Sequence, residues 1–199
     1  MTREFMQAVK ERRTFYGIGK EIKVGEERIS SLIEEAVKHT PSSFNSQSAR
    51  VVVLFGAQHD ALWNLTKDAL RKVVPADSFA ATEAKIDSFA AGYGTVLYFE
   101  DMSVIEGLQN KFPLYSENFP IWSLQSSGML QHVIWTALEG EGLGASLQHY
   151  NPLIDNAVKE RWNIPAEWKL LAEMPFGQPT AQPGEKEFQP LETRLRVYR

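Results

Sequence analysis

Pro41-Ser42-Ser43-Phe44-Asn45-Ser46-Gln47 is a polar turn that leads into Val51-Val52-Val53-Leu54-Phe55, a continuous apolar run closed by Gly56. A β-branched run without polar alternation predicts a strand buried on both faces. Upstream, Ile29, Leu32, Ile33, Ala36 and Val37 recur at helical spacing over 26–38, and Pro41 ends that register. An earlier helix is predicted over about 2–13, where Phe5, Met6 and Val9 form the stripe and Gly17 and Gly19 stop it. Downstream, helical periodicity returns over 59–73 and 78–90. Gly94-Thr95-Val96-Leu97-Tyr98-Phe99 is a second strand, and a helix over 120–138 is apolar almost all round, as a core element or subunit interface would be. A third strand follows at 142–147, a helix at 152–162 and a fourth strand at 168–177. After Gln178 comes a Pro- and Gly-rich arm, and the alternating run Leu195-Arg196-Val197-Tyr198 is expected to be a terminal strand pairing with a partner subunit.

The 199 residues carry 21 basic and 25 acidic side chains, a formal charge of −4, with 43% hydrophobic and 23% charged residues. That mixture suits a globular chain and gives no basic excess to draw nucleic acid or an anionic membrane. With no cysteine, disulfides, thiolate zinc sites, iron–sulfur clusters and cysteine nucleophiles are excluded, so redox chemistry requires a bound cofactor. Charges interrupt the first ten residues too often for a signal peptide, so a cytoplasmic location is expected. Residues 118–138 lack Asp, Glu, Lys and Arg but hold Pro120, five serine, threonine or histidine side chains and several amides, which favours a helix buried in protein over one facing lipid. His132 on that helix is expected to be a satisfied core histidine. Gly140-Glu141-Gly142-Leu143-Gly144 lies between a helix and a strand, the reverse of a dinucleotide fingerprint. The four histidines are too scattered for a metal motif.

Three groups of residues bear on chemistry. Arg12-Arg13-Thr14, with Tyr16 beyond, offers two guanidinium groups and hydroxyls for a phosphate; equally, basic residues favour a helix C-terminus. In the 41–47 turn, Asn45 and Gln47 present paired donors and acceptors suited to the edge of a heteroaromatic ring, while Ser42 and Ser43 suit a hydroxyl-stabilised turn. Lys186, in Gly184-Glu185-Lys186-Glu187-Phe188, reads alone as a solvated charge. Trp122, Trp135, Phe44, Phe112 and Tyr115 line a pocket or fill the core.

Taken in order, Arg-Arg-Thr, Pro-Ser-Ser-x-Asn-x-Gln before a buried strand, a glycine-entered strand after a central helix, and a Pro-Gly turn with a later lysine resemble the flavin-dependent nitroreductases over nearly the whole chain. The nearest resemblance is to the short subgroup that includes bacterial quinone and nitroaromatic reductases and fungal fatty-acid-repression proteins. It implies an α+β, three-layer fold with a central mixed sheet flanked by helices, one domain over 1–199, and an intertwined homodimer whose 178–199 arm lies on the partner subunit. It also implies FMN at the subunit interface. Arg12, Thr14 and Lys186, assisted by Arg13, would hold the phosphate; Asn45 and Gln47, in the loop with Ser42 and Ser43, would meet the pyrimidine; backbone at Leu147, Gln148 and His149 would lie beside the ring and its N5 atom. His149 would face the pocket as a hydrogen-bonding or stacking group, or as direct assistance to transfer; no acid–base pair is needed. Tyr16 departs from the pattern, because many members place Arg or Lys there, near flavin N1 and O2. Phe188 stands where relatives often carry a second phosphate-binding cation, a role left to Arg196 or Arg194. The implied activity is hydride transfer from NADH or NADPH through FMN to a quinone or nitroaromatic acceptor, in ping-pong order. The alternatives are a flavin-binding redox sensor or stress-response regulator with incidental turnover, and a dimeric scaffold that has lost flavin.

Overall fold

A computed structural model describes residues 4–199. The chain order is α1 (Phe5–Glu11), β1 (Ile18–Gly19), α2 (Glu26–His39), β2 (Ala49–Phe55), α3 (Ala57–Arg71), α4 (Phe79–Ala90), β3 (Gly94–Asp101), α5 (Met102–Lys111), α6 (Asn118–Gly140), β4 (Gly144–Ala145), α7 (Asp155–Trp162) and β5 (Trp168–Pro179). The sheet runs β1-β5-β3-β2, with β4 also on β5, and every one of these pairings is antiparallel. The mixed character expected of the sheet comes down, among the described residues, to one isolated parallel bridge, Thr14 to Ala145.

Helices cover both faces of the sheet. On one, Ile29, Ile33 and Ala36 of α2 and Leu130, Ile134 and Leu138 of α6 pack on Val96, Tyr98, Ala172, Met174 and Phe176. On the other, Leu62 and Trp63 of α3, Ile86 and Phe89 of α4 and Val158 of α7 pack on Leu54, Leu97, Phe99 and Leu170. Each of these large buried side chains contributes about 1.5–3 kcal/mol by leaving water. The polar groups they enclose are paired: Thr95 Oγ1 accepts the indole N–H of Trp63 at 3.0 Å and meets His59 Nδ1 at 2.8 Å.

Several expectations are corrected. α1 stops at Glu11 instead of about residue 13, and Thr2 lies outside the described residues. Its end is set by tertiary pairing: Phe15 donates its N–H to the Ala145 carbonyl at 2.9 Å, so Arg12 to Phe15 are drawn out along β4. β2 is an edge strand with only Leu54 buried, not a strand enclosed on both sides. The strand expected over 142–147 is regular only at Gly144–Ala145. Apart from these corrections, residues 180–199 are largely exposed, with a single 3-10 turn at Leu191–Thr193, and Leu195 to Tyr198, expected to pair with a partner subunit, pair with no strand of their own chain. α6 buries Ser126, Leu130 and Ile134 but exposes Ile121, Leu124, Met129 and Val133, and His132 is exposed rather than a core histidine. α5 was not anticipated; Asp101 caps it by accepting the Ser103 N–H at 3.1 Å. Among the described residues no helix is long and apolar enough to cross a membrane, and no three His, Asp or Glu side chains cluster to hold a metal.

Candidate functional site

The strands bring the N-terminal cations and the 147–149 segment to one end of the sheet. β4 lies against β5, and the chain continues beside it: Gln148 donates its N–H to the Glu173 carbonyl at 2.7 Å and accepts from the Glu173 N–H at 3.0 Å. Arg12 to Phe15 run along the other side of β4. That approach is close enough that a Cβ on Gly144 would sit 2.8 Å from the Phe15 side chain, which explains the glycine.

Arg12 lays its guanidinium over the Trp135 ring, 4.5 Å from the centroid, beside the buried Glu139. Its Nε is buried and has no hydrogen-bond partner. Burial, then the charge of Arg13, hold the Arg12 pKa below its ordinary value, partly offset by Glu139. An anion here would be met by an unspent buried donor and an under-compensated positive charge. Arg13 donates from Nη2 to the Gly184 carbonyl at 2.7 Å, tying the start of the C-terminal arm to this corner. Arg13, Thr14, Tyr16 and residues 181–185 line a cavity of about 350 Å³. Tyr16 is exposed, its ring 6.4 Å from that of Phe89. Lys186 follows the lining residue Glu185 on the exposed arm, its ammonium 5.3 Å from the Phe188 ring. Arg196 lies on the exposed terminal segment and lines none of these cavities.

The 41–47 loop lies elsewhere. Ser42 Oγ accepts the Gln47 N–H at 2.9 Å, so the hydroxyl-stabilised turn is real, and Ser43 begins a 3-10 turn. Phe44, Asn45 and Gln47 all take positive φ, 56°, 51° and 49°. Three such residues within four positions cost roughly 1–3 kcal/mol each, a strain that concentrates at working sites. The loop is held by Phe44, whose ring meets Phe112, Phe119, Tyr115 and Trp122 with centroids 5.0 to 6.1 Å away. The amides of Asn45 and Gln47 are left exposed. Ser42 and Gln47 line a second cavity, about 670 Å³, with Ile33 and Val37 of α2, Val51 and Val53 of β2 and Leu130 of α6. Within one chain, therefore, Arg13 and Thr14 of the cation corner border one cavity and the amide loop another, and Leu147 to His149 line neither of the two. Leu147 is half-buried, Gln148 is buried and donates to Ser146 Oγ at 3.0 Å, and His149 is exposed.

Glu173 was missed. It is 0% exposed on the inner strand β5, opposite Leu97, and its Oε2 accepts the Tyr150 N–H at 3.0 Å while Oε1 has no partner. Burial chiefly, reinforced by Asp155, pushes its pKa up to about 7, against the Tyr150 N–H. The signal in the sequence was a lone acid inside the apolar run Leu170-Leu171-Ala172-Glu173-Met174.

Residues 9–178 match the Nitroreductase family. The nitroreductase FRM2 of Saccharomyces cerevisiae is 35% identical over 190 residues, covering 94% of each chain. The structure of nitroreductase CinD from Lactococcus lactis in complex with chloramphenicol superposes with a TM-score of 0.91 at 43% identity, covering 98% of this chain and 100% of that one; its complex with 4-nitrophenol gives 0.90 at 44%. A more distant structure from Exiguobacterium sibiricum, in complex with FMN, shares the fold at a TM-score of 0.72 and 15% identity, covering 98% of both chains. On its match over most of its length and its shared fold, the chain belongs to the nitroreductase family.

Proposed function

We propose that this chain is an FMN-dependent NAD(P)H oxidoreductase that reduces nitroaromatic or quinone-type acceptors by a ping-pong hydride transfer. In this reading residues 1–199 form one domain of a cytoplasmic homodimer, 178–199 is an arm that starts against β1 and Arg13 of its own chain and ends on the partner subunit, and neither nucleic acid nor membrane is a partner. The observation that carries it is the Arg12 corner, where a buried guanidinium donor has no partner and a second guanidinium is held beside it by the arm. Such a corner fits a phosphate. FMN, when bound, supplies the acceptance and return of a hydride at N5.

The chain's own groups then bind, orient and exclude water. Arg12, Thr14 and Lys186 hold the phosphate, with Arg13 keeping the arm closed over it. Asn45 and Gln47, held out by the Ser42 turn and by Ser43, offer amides to the pyrimidine edge. Because that loop and the cation corner border different cavities of one chain, the reading completes each site with the loop of a second copy. The exposed Ile121, Leu124, Met129 and Val133 of α6 support such an interface. Backbone at Leu147, Gln148 and His149 borders the ring, and the exposed His149 is available to a substrate. Tyr16 offers a hydroxyl in place of a cation, and Arg196 reaches a phosphate only if the terminal segment moves to the partner. The 4-nitrophenol complex of CinD supports a nitroaromatic acceptor.

Anaerobic mixing tests the reading. NADH or NADPH should bleach the flavin, and 4-nitrophenol or a quinone should restore its colour in a second, separate phase. A flavin that neither nicotinamide donor bleaches would refute it and favour a redox sensor.

A further inference from the structure

We propose that Arg50 is a positioning residue for flavin binding: its guanidinium grips the Gln47 carbonyl and the Asp101 carboxylate at once, and so holds the Gln47 amide in the direction that meets the pyrimidine edge. The inference rests on the reading above, in which Asn45 and Gln47 bind that edge, and adds what keeps the amide there.

Gln47 is pinned on both sides of its Cα. It donates its N–H to Ser42 Oγ at 2.9 Å, and its carbonyl accepts from Arg50 Nη1 at 2.7 Å. With both flanking peptide planes fixed, φ stays at 49°, a left-handed value that a glutamine adopts only under constraint. The direction of the Cα–Cβ bond follows from those two planes, and with it the reach of the exposed amide. Ser42 belongs to the loop itself, whereas Arg50 stands on β2, so the grip on the carbonyl ties Gln47 to the sheet. The next residue is tied in the same way, the Ser48 carbonyl accepting the Asp101 N–H at 3.0 Å.

Arg50 is itself held. Its Nη2 donates to Asp101 Oδ2 at 2.9 Å, and its guanidinium lies 5.6 Å from the centre of the Trp168 ring. The other oxygen of Asp101 accepts the Ser103 N–H at 3.1 Å and the Ser103 hydroxyl at 2.6 Å, so the carboxylate that aims Arg50 is also the cap of α5. Burial alone would raise the Asp101 pKa; the Ser103 hydroxyl and the Arg50 charge outweigh it and hold the group below its ordinary value, so the partner of Arg50 is charged at neutral pH. The two side chains are only 28% and 12% exposed, and such a pair is screened far less than one on the surface. A planar fork fixed by a carboxylate on one prong presents the other in a set direction, which a flexible ammonium does not. Arg50 and Gln47 line the same cavity, so direct contact between Arg50 and the ligand is the competing outcome that the test separates.

The test is a double-mutant cycle on flavin affinity with R50A, Q47A and the two combined, read by fluorescence quenching with FMN and with riboflavin, which lacks the phosphate. R50A should weaken both ligands by about 5- to 20-fold, the order of the cost of re-forming one left-handed residue on binding. In the Q47A background the same change should cost less than about 2-fold, because the group it positions is gone. R50K keeps a charge beside Asp101 without the planar fork, so it should fold as the parent does and still lose affinity several-fold. In the flavin-free protein, amide exchange at Gln47 should be several-fold faster in both Arg50 variants, while exchange at Leu97 in the central strand β3 stays at the parent's rate. Should R50A unfold, seen as fast exchange at Leu97, R50K carries the cycle alone. Losses from the Arg50 and Gln47 changes that simply multiply would mean that Arg50 touches the flavin itself, and a loss confined to FMN would mean that it serves the phosphate. Either overturns the inference, as does affinity or Gln47 exchange equal to the parent's in both Arg50 variants. A parent that binds neither flavin overturns the proposed function and this inference with it, which is distinct from the outcomes in which the parent binds and the Arg50 assignment alone fails.

Discussion

Glu173→Gln should make the protein more stable than the parent in mild alkali and no more stable in acid. The carboxyl has an ordinary value of 4.5 and is pushed to about 7 by folding. Between those values the folded state binds more protons than the unfolded one, so stability declines as pH rises through the window and the loss is complete once the folded group has ionised. At about 1.4 kcal/mol per pH unit, the gap amounts to roughly 3 kcal/mol. Glutamine carries no such cost, and its oxygen still accepts the Tyr150 N–H. The difference between variant and parent should therefore grow from near zero at about pH 3.5, through about 1 kcal/mol at about pH 5, to roughly 3 kcal/mol at about pH 8.5. Urea unfolding at one fixed protein concentration reads it as a midpoint shift on the order of 1–2 M. Two stability curves that run parallel across the whole range, whatever their offset, would refute the assignment of a proton to this carboxyl.

Arg12→Ala and Lys186→Ala should each weaken FMN binding by about 10- to 100-fold, the worth of one charge-assisted hydrogen bond; flavin fluorescence quenching measures it, and unchanged dissociation constants in both would remove the phosphate from this corner. Thr95→Val leaves the buried Trp63 indole N–H and His59 without their shared partner and should cost about 2–4 kcal/mol in urea unfolding. Gly177→Ala pushes a methyl against the Gly19 carbonyl where β1 meets β5; it should cost about 1–3 kcal/mol and loosen the 12–19 segment, seen as faster proteolysis near the N-terminus.

The long periodic elements were legible in the sequence: α2, α3, α4, α6 and the two central strands lie where apolar spacing put them. What local pattern could not show is where tertiary pairing overrides it. The Arg12 to Phe15 stretch has helical neighbours yet is extended because β4 captures it, and Leu195 to Tyr198 alternate like a strand yet find no edge within their own chain. β2 is as apolar as a central strand but lies at the sheet's edge, its outer face bordering the larger cavity. At the site, the Ser42 turn and the Arg12 corner were readable from residue type. The positive φ values of Phe44, Asn45 and Gln47 were not, since none is glycine. Glu173 stood out only as a charge in an apolar strand, and its bond to Tyr150 depends on a contact across 23 positions that no local pattern encodes.

The central claim is that the Arg12 corner and the amide loop together hold FMN. Titrating FMN into the purified protein while following flavin fluorescence and dimer mass tests it most directly. The account predicts saturable quenching that ends at one FMN per chain in a species of two chains. Fluorescence that stays at the level of free flavin throughout would contradict it.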